Sequence, residues 1–122
     1  IKNKAERRAR ALALLAGRGL EHLADASIYD LSGGERQLVS LTTVLAVEPS
    51  IIVADEPTTL LDLRNRSQVI SALLGLDQQL IYATHDLDFA AQAQRLLVFD
   101  EGHLVYDGVP GPGLSDYRAR MS

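Results

Sequence analysis

The chain of 122 residues contains no cysteine, which excludes disulfides, thiolate metal sites and thiol nucleophiles and suits a reducing compartment. No apolar run approaches the roughly 20 residues that cross a bilayer. The opening Ile1-Lys-Asn-Lys-Ala-Glu has no signal-peptide core. The expected location is the cytoplasm, with any membrane role exercised through a partner. Positive charge is not in excess either. The formal net charge of -4 argues against nucleic acid as a partner, because gripping a phosphate backbone needs a basic face. Lys2, Lys4, Arg7, Arg8 and Arg10 do cluster, but Ala9, Leu12, Ala16 and Leu20 run beneath them at helical spacing. That pattern reads as the solvated face of an amphipathic helix. Internal repeats and domain linkers are missing as well.

What is present is the balance of a folded domain. Apolar residues make up 47% of the chain and charged residues 23%, too apolar for disorder, and a chain of this size needs only one core. Ala5 to Ala16 reads as a helix stopped near Gly17 and Gly19, followed by a short helical stretch through Leu23. After Leu31-Ser32-Gly33-Gly34, Leu38, Leu41, Thr42 and Leu45 recur at i, i+3, i+4 and i+7. This predicts a helix that begins at the glycines and ends before Pro49, which disfavours helix at Glu48. Ile51-Ile-Val-Ala54 is a short, β-branched run of the kind buried on both faces of a parallel sheet.

Leu63 to Leu74 is the next predicted helix, with Asp62 as N-cap and Gly75 as its stop, and Leu80 to Ala83 the next strand. Strand, helix, strand implies a right-handed parallel crossover. Asp86 to Gln94 then reads as helix, Arg95 to Asp100 as a third strand, and His103 to Tyr106 as a hairpin arm after the Glu101-Gly102 turn. Val109 to Gly113 reads as a loop and Leu114 to Met121 as a terminal helix.

Ligands of open α/β sheets bind outside the carboxyl ends of the strands. Two of the predicted strands end in polar groups there, Asp55-Glu56 and Thr84-His85. Adjacent carboxylates have opposite pleat directions, so one can serve a metal and the other a reacting water. That division suits phosphoryl transfer. Taken singly, each has a plainer reading: the acids as the solvated end of a strand, His85 as a loop histidine, and Asp62 as an N-cap alone.

The order of motifs overrides those plainer readings. Leu31-Ser-Gly-Gly-Glu-Arg-Gln37 resembles the signature sequence of ATP-binding-cassette (ABC) ATPases at every position. It is followed by Ile51-Ile-Val-Ala-Asp-Glu-Pro57, similar to a Walker B segment, by Thr59-Leu-Leu-Asp62, similar to a D-loop, and by His85, similar to the switch histidine. At the signature the resemblance agrees with the physics, since Ser32 and the backbone N–H groups of Gly33 and Gly34 at a helix N-terminus make an anion site. The resemblance implies that this loop meets the γ-phosphate of ATP held by a second ATPase subunit, in a homo- or heterodimer arranged head to tail. It further implies that Asp55 holds Mg²⁺ through water, Glu56 is the general base, His85 contacts the γ-phosphate and Asp62 communicates across the dimer; Gln37 resembles the signature glutamine and is a candidate nucleotide-binding residue, with the plainer reading that it only faces the helical subdomain.

The implied fold is α/β: part of a P-loop NTPase, with a parallel sheet and flanking helices. Residues 1–48 would belong to the helical signature subdomain and 49–122 to the C-terminal part of the RecA-like core. The phosphate-binding G-x-x-x-x-G-K-[ST] is missing from the 122 residues, and neither Gly17-Arg-Gly19 nor Gly111-Pro-Gly113 supplies its lysine. The adenine-stacking aromatic and the Q-loop are missing with it. The expectation is therefore a fragment, inactive alone, cut from an active ATPase. In such ATPases the Walker A strand lies between the strands matching Leu80–Ala83 and Arg95–Asp100, so a gap with long apolar edges, prone to aggregation or strand exchange, is expected there.

Glu48 to Asn65, with Ala83-Thr-His-Asp-Leu-Asp-Phe-Ala-Ala91, is similar to ATPases of energy-coupling-factor importers of the cobalt and biotin group. This implies a transmembrane transporter subunit as partner and a peripheral place on the inner face of the cell membrane. The alternatives are the ATPase of another ABC importer, for amino acids or metal, a catalytically silent binding module of the same ancestry, or a soluble cassette protein acting on ribosomes or DNA.

Overall fold

Helix α1 (Lys4–Ala16) begins where the Asn3 side chain accepts the backbone N–H groups of Ala5 and Glu6, at 2.8 and 3.3 Å. The computed structural model describes residues 3–17 and 19–122, so Lys2 and Arg18 lie outside the described residues. The expected inner stripe of α1 holds only in part. Leu12 is half-buried and Leu20 is buried, but Ala9 and Ala16 are exposed, and Leu14 and Leu15 turn inward instead. The basic face is not purely solvated either. The Arg10 guanidinium reaches the end of the next helix and donates to Ala46 O and Glu48 Oε1, both at 2.9 Å.

Helix α2 (Gly33–Leu45) follows two 3₁₀ turns, Glu21–Leu23 and Ile28–Asp30. It stops as predicted before Pro49, with Glu48 in the left-handed region at φ 53°. Strand β1 (Ile51–Asp55), helix α3 (Leu63–Leu74) and strand β2 (Gln79–Ala83) come next, β1 and β2 pairing as a two-stranded sheet. Leu20, Leu41, Ile52, Val69, Ile70 and Leu73 form the core of the unit Ile1–Tyr82. Burial of β1 on both faces is not observed. Ile52 is 5% exposed, while its neighbours Ile51 and Val53 on the opposite face are 52% and 73% exposed. Alternation of pleat directions sends Ile52 toward the core and those two away from it.

The unit Ala83–Ser122 holds helix α4 (Leu87–Ala90), strands β3 (Leu96–Asp100) and β4 (His103–Gly108), and helix α5 (Pro110–Met121). Helix α4 ends short of the predicted Gln94. After Ala91 N–H bonds Leu87 O, Gln92 and Ala93 bond only three residues back, to Phe89 O and Ala90 O, so the ladder tightens and ends. β3 and β4 form an antiparallel hairpin with an irregularity between Val98 and Phe99. Glu101 and Gly102, at φ 50° and 78°, make the turn. Two positive φ values in a two-residue loop are what a right-twisted hairpin requires.

Helix α5 starts within the predicted loop because Pro110, at the helix start, has its φ already set for helix. A Cβ on Gly113 would collide with the Tyr106 ring and Leu96, which fixes glycine where α5 crosses the hairpin. Phe89, fully buried, centres this unit's core with Ala90, Val98 and Leu114. The expected third strand therefore joins a sheet of its own. The two strands placed on either side of the missing Walker A strand, β2 and β3, fall in different sheets. Among the described residues no helix is long and apolar enough to cross a membrane.

Candidate functional site

Helix α2 begins in a capping box at an exposed Ser32. Ser32 Oγ accepts Glu35 N–H at 3.1 Å, and Glu35 Oε1 accepts Ser32 N–H at 3.0 Å. Each side chain satisfies an orphan amide of the first turn. Ser32 and Gly33 are exposed, whereas Gly34 is buried. The two glycines differ in what they face. A Cβ on Gly33 would meet only the end of the Leu61 side chain, at 2.9 Å, but a Cβ on Gly34 would lie 2.6 Å from Asn65 Oδ1 and 2.8 Å from Asn65 Cβ. Close packing against α3 is thus enough to demand glycine at 34, and it is not enough at 33.

The strand end opposite α2 is a tight, left-handed turn. Asp55 closes β1 with its side chain exposed. Glu56 follows at φ 48° and Leu60 stands at φ 67°, fully exposed. Non-glycine residues in that region cost of order 1–3 kcal/mol each and persist only where the surroundings impose them. Several contacts impose them here. Pro57 and Thr58 are buried, Thr59 N–H and Leu61 N–H bond back to Glu56 O and Thr58 O at 3.3 Å, and Thr59 Oγ1 donates to Glu56 Oε2 at 3.4 Å.

Gln37, half-buried on α2, donates its side-chain amide to Pro57 O at 2.9 Å. The signature helix and the acidic turn of one chain are thereby joined directly. Asp62 caps α3, accepting Asn65 N–H at 2.8 Å, so the plainer role considered for it is structurally real. A cleft of about 190 Å³ between α2 and β1 is lined by Gln37, Leu41, Ile52, Asp55 and Pro57 among others. It falls below the usual 300–1,000 Å³ of small-molecule pockets.

His85 belongs to the other unit. It is exposed, in the segment where Thr84 Oγ1 accepts Asp86 N–H at 2.9 Å and Asp86 Oδ1 accepts Phe89 N–H at 3.2 Å. Of the residues singled out from sequence, Ser32, Gly33, Gly34, Gln37, Asp55, Glu56 and Asp62 thus share the unit Ile1–Tyr82, and His85 does not. Asn65 and the Pro57 carbonyl were missed. The carbonyl belongs to the backbone and leaves no mark on residue type, while Asn65 announces itself only through the glycine it faces.

Among the described residues no group of three His, Cys, Asp or Glu is gathered to cage an ion. The exposed Asp55 carboxylate fits a hard cation that takes one or two protein oxygens and completes its shell with water and substrate phosphate, the habit of Mg²⁺.

Comparison with known proteins places these residues in a family context. The ABC transporter family profile matches residues 2–59. The biotin transport ATP-binding protein BioM of Rhizobium etli is 45% identical over 116 residues, which cover 95% of this chain and 52% of that protein. An energy-coupling factor transporter ATP-binding protein of Halalkalibacterium halodurans is 41% identical over 95 residues, covering 75% and 34%. Among solved structures, cbiO1 from Clostridium perfringens, part of the ABC transporter complex cbiONQ, superposes with a TM-score of 0.80 at 30% identity, covering 98% of this chain and 49% of that one. An ATP-binding cassette of another ABC transporter gives a TM-score of 0.86 at 26% identity, over 99% and 51%. The chain spans between about a third and about half the length of the relatives it matches.

Proposed function

The chain belongs to the ABC transporter ATP-binding family, and on that premise we propose that it is the signature and Walker B portion of an ATPase subunit that binds and hydrolyses ATP to power an energy-coupling-factor importer for biotin or cobalt. The observation that carries this reading is the junction of the signature helix with the acidic turn through Gln37 and Pro57, at 2.9 Å, in a chain similar to biotin and energy-coupling-factor ATPases along most of its length.

Placement supports the following roles. The exposed N-terminus of α2, with Ser32 and Gly33 at its tip, offers N–H groups and the positive end of the helix to a phosphate held by a second subunit. Asp55 supplies the oxygen for Mg²⁺, which when bound neutralises phosphate charge. Glu56, turned out of the strand by its left-handed backbone, accepts a proton at Oε from the attacking water, and the Thr59 hydroxyl steadies that carboxylate. His85 is assigned to the γ-phosphate and Asp62 to the dimer contact. Residues 1–48 count as helical signature subdomain and 49–122 as ATPase core. The 122 residues by themselves should not turn over ATP, because no P-loop within them brings nucleotide to Glu56.

The remaining elements of the proposal are a head-to-tail pair of ATPases, a transmembrane scaffold, and a place on the inner face of the membrane. The test is co-expression of the full-length protein with the membrane proteins encoded beside it, measuring ATP-dependent uptake of labelled biotin and of cobalt. ATP-dependent uptake of either supports the assignment. Uptake of neither, together with copurification of a permease that depends on a periplasmic binding protein, would transfer it to the amino-acid or metal importers.

A further inference from the structure

Of the two readings of Gln37, toward nucleotide or toward its own subdomain, the side-chain amide fits the second, since it is engaged within its own chain. Nε2 donates to Pro57 O at 2.9 Å in a half-buried setting, one residue beyond the Glu56 carboxylate. The turn it grips is strained: Glu56 and Leu60 both hold positive φ. That backbone has to be imposed from outside. The same face of α2 braces the turn's far end, where Leu61 and Asn65 press against Gly33 and Gly34. The N-terminal turns of α2 thus meet residues 56–65 at Pro57, Leu61 and Asn65.

We propose that Gln37 is a positioning residue that fixes the Glu56 turn to the signature helix, and not a nucleotide ligand. This rests on the ATPase reading given above. In that reading the signature loop of one subunit serves the ATP of the other, while Glu56 serves the ATP of its own. The Gln37 tie then joins two half-sites that belong to different nucleotides. A shift of α2 on docking at one ATP is handed to the carboxylate at the other through a single hydrogen bond and a set of close packing contacts. Loss of the donor leaves the Pro57 carbonyl without its partner and frees the turn, so Glu56 loses its aim while the anion site at Ser32 and Gly33 is untouched.

The experiment uses the full-length protein. Gln37→Met keeps the length of the side chain and removes the donor; Gln37→Lys restores a donor of similar reach. Displacement of a catalytic group by about an ångström costs on the order of a hundredfold in rate. The expected result for Gln37→Met is a fall in kcat of at least roughly tenfold, KM for ATP within about twofold of wild type, intact ATP-driven dimerisation in the Glu56→Gln background, and recovery of most of the rate in Gln37→Lys. Should Gln37→Met fail to fold, Gln37→Glu, which keeps the shape with a carboxylate that accepts, carries the same comparison. Wild-type kcat in the donorless variants, or a loss confined to KM and nucleotide binding, overturns the tie alone. A wild-type protein that does not hydrolyse ATP overturns the ATPase reading and the tie with it.

Discussion

In the unit Ala83–Ser122 three acids of the hairpin and α5 are held by arginines. Asp107 takes a two-pronged bond from Arg95 at 2.7 and 2.6 Å across the hairpin, and Arg120 bonds both Asp116 and Asp100, at 2.8 and 3.4 Å. In the unit Ile1–Tyr82 the polar groups at the strand end and helix tip serve backbone instead. Ser32 and Asp62 accept amide N–H groups, Gln37 donates to a carbonyl, and Glu56 sits in a left-handed turn. The positive φ of Glu101 has a local reason, the hairpin turn it forms with Gly102. Glu56 and Leu60 lie in a longer turn held both by its own hydrogen bonds and by the buried Pro57 and Thr58. The contrast is between a turn with positive φ beside a carboxylate in one unit and a hairpin with arginine-bound acids in the other.

The glycines at the head of α2 give the largest contrast. Gly34→Ala drives a methyl into Asn65, and overpacking of this kind costs about 1–3 kcal/mol, against a gain in helix propensity of up to about 1 kcal/mol. Net destabilisation is therefore expected in denaturant melts. Gly33→Ala meets only the mobile end of Leu61 and should leave stability within about 0.5 kcal/mol. If Gly33→Ala nevertheless impairs ATP-driven dimerisation, the bare backbone at 33 is there for phosphate. Equal loss of stability in both variants would erase the distinction drawn between them.

Asp107→Asn should have the smallest effect, and it carries a pH signature. The hydrogen bond from Arg95, and its charge, hold the Asp107 carboxyl below the ordinary carboxylate value. A folded-state pKa that is depressed contributes stability above the unfolded value, about 3.9, and loses that contribution as pH falls through the folded value. The variant should melt slightly below wild type at pH 7, with the difference shrinking as the pH is lowered into and below the carboxylate range. The same difference at every pH would mean that the arginine bond contributes nothing specific to charge.

Much of this was legible in the residue order. The helix starts at Ser32 and Asp62, the stop before Pro49 and the turn at Glu101-Gly102 each rest on a single residue type with one backbone preference, and the structure places them there. The errors came where tertiary context decides. Helix α4 ends early because its ladder tightens after Ala91, and α5 starts early because Pro110 and Gly113 fit the hairpin. Burial of β1 was overestimated because an apolar, β-branched run states a preference for cover without stating what supplies it. At the site, types and spacing gave the strand-end acids and the helix start at Ser32. The tie from Gln37 to a backbone carbonyl could not be read, because a carbonyl is carried by every residue.

The central proposal is that Glu56 is the general base of an ATPase. In the full-length protein, Glu56→Gln keeps the shape of the side chain and removes the base. ATP turnover should fall by about 10²–10⁴-fold, while ATP binding persists and the ATP-bound dimer accumulates, read side by side as phosphate release and by light scattering. Turnover near the wild-type rate, or loss of ATP binding along with turnover, would contradict the assignment of Glu56.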